Sequence, residues 1–429
     1  MRGAATVVIV AASWCVAIVA AAVAAVWLAD VRILAAVALA VCLVVAWVGA
    51  WYTGRRLDRR QSYAVVTAVA SVLVFAVAAA TIVARPLPSD PRADQPSAAP
   101  EDVRYWDLTT GSQLAYRHLR ATGAARPTPV IFVGGGPGEA VVNNPAKADP
   151  YRELTRLGYD VYLYDQIGAG LSARLSNPAD YTVDRHVADL EAIRRALGAD
   201  QLTLIGASWG GSLVASYLAA HPTRVAKAVL TSPAPMDYAR WPDAGDIAAH
   251  LPDAQRQRAE DLMPGNPRFI TWYGLGIVNP VAAHNFIPDD EADAFFDTFL
   301  NIVRPATVCD PDNLSDVYET GNGLYANVFT TRDAASGAQS HVQAQLETSP
   351  TPAMIITGEC NYIPWAPTAE YATTLPNATL LCLPNAGHAV ELDRPDLYRR
   401  VVQDFLLDQP PAIPATPPTQ PCTSEVVPG

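Results

Sequence analysis

The segment Leu204–Gly211, with the sequence LIGASWGG, constrains the fold of this chain more than any other stretch. An apolar, β-rich run precedes it and a helical pattern follows it, so a strand, a tight turn and a helix are predicted in succession. The central GASWG fits the GxSxG pattern of a nucleophile elbow, in which a strained turn lifts a serine hydroxyl clear of a sheet. Ser208 is therefore the candidate nucleophile, and the amides at the start of the helix favour negative charge beside it.

Short apolar runs that alternate with helical patterns surround this elbow. The runs are Pro129–Val133, Tyr159–Tyr164, Leu202–Ile205, Val225–Leu230, Ala353–Thr357 and Thr379–Leu383. Such strands, separated by helices, predict a parallel sheet covered on both faces. The alternating polar and apolar residues of Gln113–Leu119 predict an antiparallel edge strand. From about Ala234 to Ser349 the alternation stops, and we interpret this stretch as a cap inserted over one end of the sheet.

A glycine-rich loop, GGGPG at 134–138, follows the first of the predicted parallel strands. In elbow hydrolases the residue after the nucleophile supplies one oxyanion donor and a loop in this position supplies the other. We therefore expect the amides of Trp209 and Gly135 to form an oxyanion hole, with Gly136 as the next choice for the loop donor. An ordinary glycine-rich turn is the alternative. A phosphate-binding loop is disfavoured because no GK[ST] follows.

His388 lies just past the last predicted strand, in the sequence PNAGH at 384–388. A histidine in this place is the candidate general base, because the chain order nucleophile, acid, histidine is that of the elbow hydrolases. A surface or core histidine is the alternative interpretation.

Together these motifs resemble the α/β-hydrolase superfamily, and within it the proline iminopeptidase-like group. The matching pieces are GGGPG at 134–138, DQIGAGLS at 165–172, GASWGG at 206–211 and NAGH at 385–388. The resemblance covers about Tyr105 to Leu407 and implies a doubly wound, mostly parallel sheet with a helical cap between the sixth and seventh strands. The chain has Gly134 where the family usually has His, and Ile167 where the family usually has Arg.

The resemblance also implies that acidic side chains of the cap capture the free amino terminus of a peptide. Asp289, Asp290 and Glu291 are available in the cap. A solvated acidic start of a helix explains these three residues equally well.

The family pattern places an aspartate where this chain has Asn361, in TGECNYIPW at 357–365. The base needs a partner on its other ring nitrogen, which fixes the tautomer and stabilises the imidazolium. Three side chains are candidates: Asn361 through its amide oxygen, Glu359 on the same side of an extended backbone, and Asp237 after the preceding strand. A chain without a functional acid is the fourth possibility.

Three apolar runs precede the predicted sheet. They are about Ala4–Ala29, Ile33–Thr53 and Ser62–Ala84. Each exceeds the roughly 18–20 residues that cross a bilayer, so three transmembrane helices are favoured over a signal peptide or buried core helices. The break Gly54–Arg60 carries four Arg and the break Asp30–Arg32 carries one, which places the former in the cytoplasm. Everything after Arg85 would then lie on the extracytoplasmic side.

Four cysteines, Cys309, Cys360, Cys382 and Cys422, lie in the part predicted to be external. In an oxidising compartment they allow two disulfides, in three possible connectivities. We expect Cys422 to fix the C-terminal tail to the domain, and we hypothesise a bond between Cys309 and Cys360 that clamps the cap. Neither CxxC nor HExxH occurs, so no metal and no cofactor are expected.

These observations divide the chain into six segments. They are a transmembrane anchor at 1–84, a Pro-rich linker at 85–100, the first part of an α/β-hydrolase core at 101–233, a cap at 234–349, the second part of the core at 350–408 and a Pro-rich tail at 409–429.

The function expected from the resemblance is that of a membrane-anchored serine hydrolase, an aminopeptidase of the proline iminopeptidase type that acts on small peptides. An esterase or lipase-like hydrolase with an ester substrate is one alternative. A catalytically weak or inactive binding module with the hydrolase fold is another. The formal net charge of −12 argues against nucleic acid as a partner, because nucleic-acid binding needs a basic surface.

Overall fold

The computed structural model describes residues 2–422 apart from positions 56, 58, 84, 94–98, 243, 245 and 263–265. Arg56 and Asp58 of the second polar break, the middle of the predicted linker and the end of the predicted tail therefore lie outside the described residues. The chain divides into two compact units. The first contains Met1–Pro88, Ser176–Pro178 and Leu262–Glu291, and the second contains Ser89–Leu175, Ala179–Asp261 and Ala292–Gly429.

The first unit begins with three long apolar helices, α1 (Arg2–Ala25), α2 (Val31–Thr53) and α3 (Arg60–Val83). Their stretches Gly3–Ala25, Val31–Thr53 and Arg60–Ile82 have 23 residues each and are apolar enough to cross a membrane. A helix of that length spans about 35 Å, more than the roughly 30 Å of a hydrocarbon core. The prediction of three long apolar helices is thus confirmed.

The second unit is built on one eight-stranded sheet. Its strands are β1 (Arg104–Asp107), β2 (Gln113–Leu119), β3 (Val130–Val133), β4 (Val161–Tyr164), β5 (Leu202–Ala207), β6 (Val225–Thr231), β7 (Ala353–Gly358) and β8 (Ala378–Leu383). Their order is β1-β2-β4-β3-β5-β6-β7-β8. β2 pairs antiparallel with β1 and with β4, and the other neighbours are parallel. The predicted α/β class with a mostly parallel sheet is therefore confirmed.

One detail of the predicted sheet is wrong. β2 is antiparallel as expected, but it is not the edge, because β1 pairs along its outer side from Arg104↔Tyr116 to Asp107↔Gln113. The sequence of β1, RYWD, is short and mostly exposed, so it carries no apolar run by which it could be recognised.

Among the described residues, twelve further helices follow the first three along the chain. They are α4 (Arg152–Arg156), α5 (Val183–Ala196), α6 (Trp209–Ala220), α7 (Asp253–Leu262), α8 (Pro267–Val278), α9 (Pro280–Phe286), α10 (Asp289–Val303), α11 (Leu324–Ala335), α12 (Val342–Leu346), α13 (Trp365–Thr374), α14 (Val390–Asp393) and α15 (Pro395–Leu406). Short 3₁₀ helices occupy Pro145–Tyr151, Pro178–Asp180, Ile247–His250, Arg304–Thr307 and Pro311–Asn313. The long connection between β6 and β7 is helical, from α7 to α12.

One core cluster of the second unit lies against one face of the sheet. Alternate residues of β3 to β8 point to this face, because side chains of a strand alternate between its two sides. They pack with four almost fully buried residues of α15, which are Tyr398, Val401, Val402 and Leu406. α15 presents this apolar stripe on one side only, which suits a helix that covers a sheet.

Two disulfides tie distant parts of the second unit together. Cys309 bonds to Cys360 with the Cα atoms 5.4 Å apart, and Cys382 bonds to Cys422 with the Cα atoms 5.7 Å apart. The tail is also held by a hydrogen bond of 2.7 Å from the Thr416 amide to the Leu380 carbonyl in β8. The structure thus selects one of the three connectivities that the sequence left open.

Candidate active site

Ser208 lies in the turn between β5 and α6 with φ 54° and ψ −122°. A positive φ is unusual for a residue with a side chain and marks stored strain. The turn can form only because its neighbours are small: a Cβ on Gly206 would lie 2.4 Å from the Gly210 carbonyl oxygen, and a Cβ on Gly210 would lie 2.1 Å from the Val133 carbonyl oxygen. The GxSxG pattern therefore forms the sharp turn from which its serine is presented.

The two amides expected to form an oxyanion hole are in adjacent parts of the chain. Trp209 begins α6, so its amide is one of the N-terminal donors that have no acceptor within the helix. Gly135 follows β3, the neighbour of β5, and a Cβ there would lie 3.2 Å from Cβ of Ser208. Gly136, the second choice, has φ 105° and forms the tight turn that follows.

The turn after β4 forms hydrogen bonds with the glycine-rich loop and with the residues next to it. The Asp165 carboxylate accepts hydrogen bonds from the amides of Val141 at 2.6 Å and Val142 at 2.9 Å. The Gln166 side chain donates to the Gly134 carbonyl at 2.8 Å and accepts the indole N–H of Trp209 at 3.1 Å. The DQIGAGLS segment thus positions both halves of the possible oxyanion hole.

One of the two expected oxyanion donors, the Gly135 amide, already donates to a carboxylate. The Gly135 amide donates to Glu139 Oε2 at 2.6 Å, and the Lys147 ammonium forms an ion pair with Glu139 Oε1. Burial opposes the charged form of Glu139, but Lys147 and the Gly135 amide outweigh it and hold the pKa of this carboxyl below its ordinary value. A substrate oxygen that uses the Gly135 amide must therefore displace an ionised carboxylate. This contact could not be predicted from the sequence.

His388 contacts the side chain of Asn361. Its Nδ1 lies 2.9 Å from Asn361 Oδ1. The amide of Asn361 is oriented by two further bonds, because its Nδ2 donates to Thr357 Oγ1 at 3.0 Å and its Oδ1 accepts the Ile363 amide at 3.1 Å. The oxygen therefore faces the imidazole, and His388 carries its proton on Nδ1.

The other two candidates for the acid lie in contacts of a different kind. Glu359 Oε2 accepts the backbone amide of Asn385 at 3.1 Å. Asp237 Oδ1 accepts the backbone amide of Ala239 at 2.9 Å, in the turn that follows its own strand. Both carboxylates therefore stabilise loop backbone, while Asn361 is the side chain at Nδ1 of His388.

Tyr362 is the residue of the site that the sequence analysis missed. Its hydroxyl lies 3.4 Å from His388 Nε2, and the two rings are 4.3 Å apart. The side chain of Ser208 is near enough to this hydroxyl to act on it. Burial raises the pKa of Tyr362 to about 12, against the lowering effect of Ser208, so the phenol stays neutral. Its place directly after Asn361 was the only signal available.

Burial also determines the protonation of the base. It lowers the pKa of His388 to about 4, with Glu139 acting against this shift and Lys147 in the same direction. The imidazole is consequently neutral at pH 7, and its Nε2 can accept a proton. The loop that carries it is fixed on both sides, since Gly387 donates to Asp393 at 2.7 Å and Ala389 donates to the Thr307 carbonyl at 2.8 Å.

Two of the three acidic residues considered in the cap, Asp289 and Glu291, are used in local contacts. Asp289 Oδ2 lies 2.9 Å from His284 Nε2. Glu291 binds the guanidinium of Arg268 with both oxygens at 2.6 Å and accepts the Leu87 amide at 2.9 Å. Within the described residues no group of three or more His, Cys, Asp or Glu could hold a metal ion.

Residues 128–262 match the family described as "alpha/beta hydrolase fold". This match extends from the strand before the glycine-rich loop to the end of α7 and includes Ser208. It agrees with the order and direction of the strands described above.

Curated relatives of this chain are named proline iminopeptidase. That of Heyndrickxia coagulans is 34% identical over 29% of this chain and 41% of its own length. That of Saccharolobus solfataricus is 32% identical over 25% of this chain and 33% of its own, and that of Lactobacillus delbrueckii subsp. lactis is 36% identical over 24% and 35%. The chain thus spans less than half of the length of these relatives. It has the α/β-hydrolase fold, and over the part that these relatives cover its sequence is similar to proline iminopeptidases.

Proposed function

We propose that this protein is a membrane-anchored serine hydrolase that cleaves an N-terminal residue from small peptides. The observation that carries the proposal is the pairing of His388 Nδ1 with Asn361 Oδ1 at 2.9 Å, beside a serine on a strained elbow. The peptide substrate rests on the names of the relatives and on the fold. The anchor rests on the three apolar helices.

The proposed roles follow from the hydrogen bonds of the site. Asn361 holds the Nδ1–H of His388, so Nε2 is left as an acceptor. The neutral Tyr362 hydroxyl lies 3.4 Å from this Nε2 and near Ser208, so in the proposed arrangement it donates to Nε2 and accepts from the Ser208 hydroxyl. When Ser208 Oγ attacks the carbonyl carbon, its proton passes through the Tyr362 hydroxyl to His388.

The remaining steps complete an acyl transfer. The Trp209 amide holds the oxyanion, joined by the Gly135 amide once Glu139 has been displaced from it. His388 then returns the proton to the leaving amine, and water hydrolyses the acyl-enzyme by the same route in reverse. With an amide oxygen in place of a carboxylate, the imidazolium formed in these steps is less stabilised than in a Ser-His-Asp triad.

Two contacts favour a second candidate, a hydrolase-fold binding module without turnover. Glu139 occupies the Gly135 amide, and the hydroxyl of Tyr362 lies at the nitrogen that would serve Ser208. In such a module both contacts would be permanent. An esterase is the third candidate and differs from the first only in the substrate.

One experiment separates these candidates. The purified full chain is incubated with a fluorophosphonate probe, beside Ser208→Ala and a heat-denatured sample as controls. Labelling of the native chain alone supports a serine hydrolase, and absence of labelling in folded protein supports the binding module. A panel of aminoacyl p-nitroanilides and p-nitrophenyl esters then distinguishes the peptidase from the esterase.

The sidedness of the anchor is tested separately. We propose that the second unit lies on the extracytoplasmic side, because the Arg-rich break between α2 and α3 belongs in the cytoplasm. Two disulfides in the second unit support an oxidising compartment. Protease digestion of intact cells or right-side-out vesicles should degrade the second unit, and protection of it would contradict this orientation.

A further inference from the structure

The helix α8 exposes an uninterrupted apolar face. Ile270, Tyr273 and Ile277 are 58%, 51% and 63% exposed. Their spacing of three and four residues places them in one stripe along the helix. Among the described residues after position 84, four of the seven exposed large hydrophobic side chains lie on α8, these three and Val278. An exposed patch of this kind marks a surface that meets an apolar partner.

The exposed stripe carries no charge. The sequence of α8, PRFITWYGLGIV, has a single ionisable group that is charged at neutral pH, Arg268. That side chain is buried and is paired with Glu291. By contrast α7, DAQRQRAEDL, is polar along its whole length. α8 is therefore unlike an ordinary surface helix.

The other side of α8 packs on the first helices of the chain. Leu275 packs against a cluster of Ala25, Leu34 and Ala282. The side-chain amide of Asn279, the residue directly after α8, donates to the carbonyl of Ala25 at 2.8 Å. Ala25 is the last residue of α1, so no amide of the helix donates to its carbonyl. α8 is thus attached where α1 ends and α2 begins.

The helix α9 strengthens this attachment. The side-chain amide of Asn285 donates to the carbonyl of Ala29 at 3.0 Å, in the short connection between α1 and α2. Two asparagines, one from each helix, therefore satisfy backbone carbonyls at the same end of the helical group. Polar contacts of this kind belong at the level where a membrane helix leaves the hydrocarbon.

The exposed surface of α8 is apolar, as is the exposed surface of the candidate membrane spans. Near the same end of α1, Val23, Val26 and Trp27 are 52%, 52% and 75% exposed. Tryptophan and tyrosine are the residues that membrane proteins place at the level of the lipid headgroups. Trp27, two residues after the first candidate span, and Tyr273 on α8 fit that level.

We propose that α8 is an interfacial helix whose stripe of Ile270, Tyr273 and Ile277 lies in the outer leaflet, at the boundary between headgroups and acyl chains. A helix with an exposed apolar stripe binds in this way through the apolar area that it buries in the interface. The proposal rests on the membrane anchoring proposed above. It adds that the connection between β6 and β7, and not only the N-terminal helices, contacts lipid.

Depth-dependent quenching tests this proposal on the full chain in nanodiscs. Single cysteines are introduced in a background with Cys15→Ser and Cys42→Ala, with both disulfides intact, and are labelled with an environment-sensitive fluorophore. The test position is Ile277→Cys. Val74→Cys, which is 55% exposed in the middle of α3, is the control for lipid contact, and Gln257→Cys on the polar α7 is the control for water.

The expected result is a blue-shifted emission at Ile277→Cys, with stronger quenching by phospholipids spin-labelled near the headgroup than by those labelled deep in the chain. Val74→Cys should show the opposite preference and Gln257→Cys little quenching. If Val74→Cys is quenched and Ile277→Cys matches Gln257→Cys, the interfacial helix is refuted while the anchor stands. If Val74→Cys is not quenched either, the anchor itself fails. Crosslinking of Ile277→Cys between chains, without quenching, would assign the stripe to a second copy and also overturn the proposal.

Discussion

The substitution Asn361→Asp tests the central contact of the site. Asn361 Oδ1 lies 2.9 Å from His388 Nδ1, so an aspartate in the same rotamer places a carboxylate oxygen at the same distance. The Thr357 hydroxyl, which now accepts from the Asn361 amide, can rotate and donate to the new oxygen. The change therefore adds one negative charge with little change in shape.

The size of the effect follows from the pKa of the base. Burial lowers the pKa of His388 from 6.5 to about 4, so the protonated ring is disfavoured by about 3 kcal/mol relative to water. A carboxylate in hydrogen-bond contact offsets about 2 kcal/mol of this, within the range known for adjacent opposite charges. If half to all of that appears in the transition state, kcat/KM rises roughly five- to thirtyfold.

The pH dependence gives a second, independent readout. The base works only when neutral, so activity is lost as pH falls through the pKa of His388. In the native chain this acid limb is expected near pH 4. Asn361→Asp stabilises the imidazolium, raises the pKa of His388 and moves the limb to higher pH. The rate of fluorophosphonate labelling, followed across the acid range, measures both variants without knowledge of the natural substrate.

The control is Asn377→Asp, which makes the same change of charge at an exposed site before β8. This variant should leave unchanged both the rate of fluorophosphonate labelling and the pH at which that rate falls. Asn361→Ala should lower the rate, because His388 loses the partner of its Nδ1–H. The reasoning is refuted if Asn361→Ala is silent while Asp237→Ala or Glu359→Ala abolishes labelling.

Three further changes test the neighbouring contacts. Tyr362→Phe should lower the labelling rate of Ser208 by about a hundredfold, the lower end of general acid–base effects, and an unchanged rate would remove the hydroxyl from the proton path. Glu139→Gln should raise the labelling rate, because a neutral amide holds the oxyanion donor less tightly than a carboxylate; a slower rate would show that the carboxylate assists. Replacement of both Cys309 and Cys360 by alanine removes a disulfide that joins residues 51 positions apart. It should lower the free energy of unfolding by up to about 4 kcal/mol, measured by thermal unfolding. An unchanged Tm would contradict the clamp.

The sheet could be predicted because its signal is local. Each parallel strand is a short apolar run between turn residues, and the runs at Pro129–Val133 and Ala353–Thr357 differ from β3 and β7 by a single residue at one end. The elbow could be predicted for the same reason, since two glycines and a serine at fixed spacing determine the turn. β1 could not be predicted, because its four mostly exposed residues show no periodic pattern of apolar side chains.

The choice among Asn361, Glu359 and Asp237 could not be made from the sequence. It depends on where the chain turns after β7, and on which side chain that turn directs toward a loop from another part of the chain. In the structure the Cys360 amide donates to the Ala386 carbonyl at 2.8 Å, which brings the two loops together. Long-range register of this kind leaves no trace in residue spacing.

The contact between Glu139 and Gly135 shows a different limit. A glycine-rich loop in a sequence shows which backbone amides are not covered by side chains of their own residues. It does not show which acceptors those amides bind. Here the chain turns through cis Gly136–Pro137 and returns a carboxylate to the amide four residues earlier. The same bare backbone that qualifies the loop as an oxyanion hole also lets a carboxylate of its own chain enter it.

The helix α8 extends this argument to the membrane. Its sequence is apolar on every side, with Phe269, Trp272 and Leu275 as hydrophobic as the exposed Ile270 and Ile277. A helix of that composition belongs either in a protein core or in lipid, and periodicity cannot separate the two. In the folded chain only one side of α8 is buried, so this composition supports lipid as the partner of the other side.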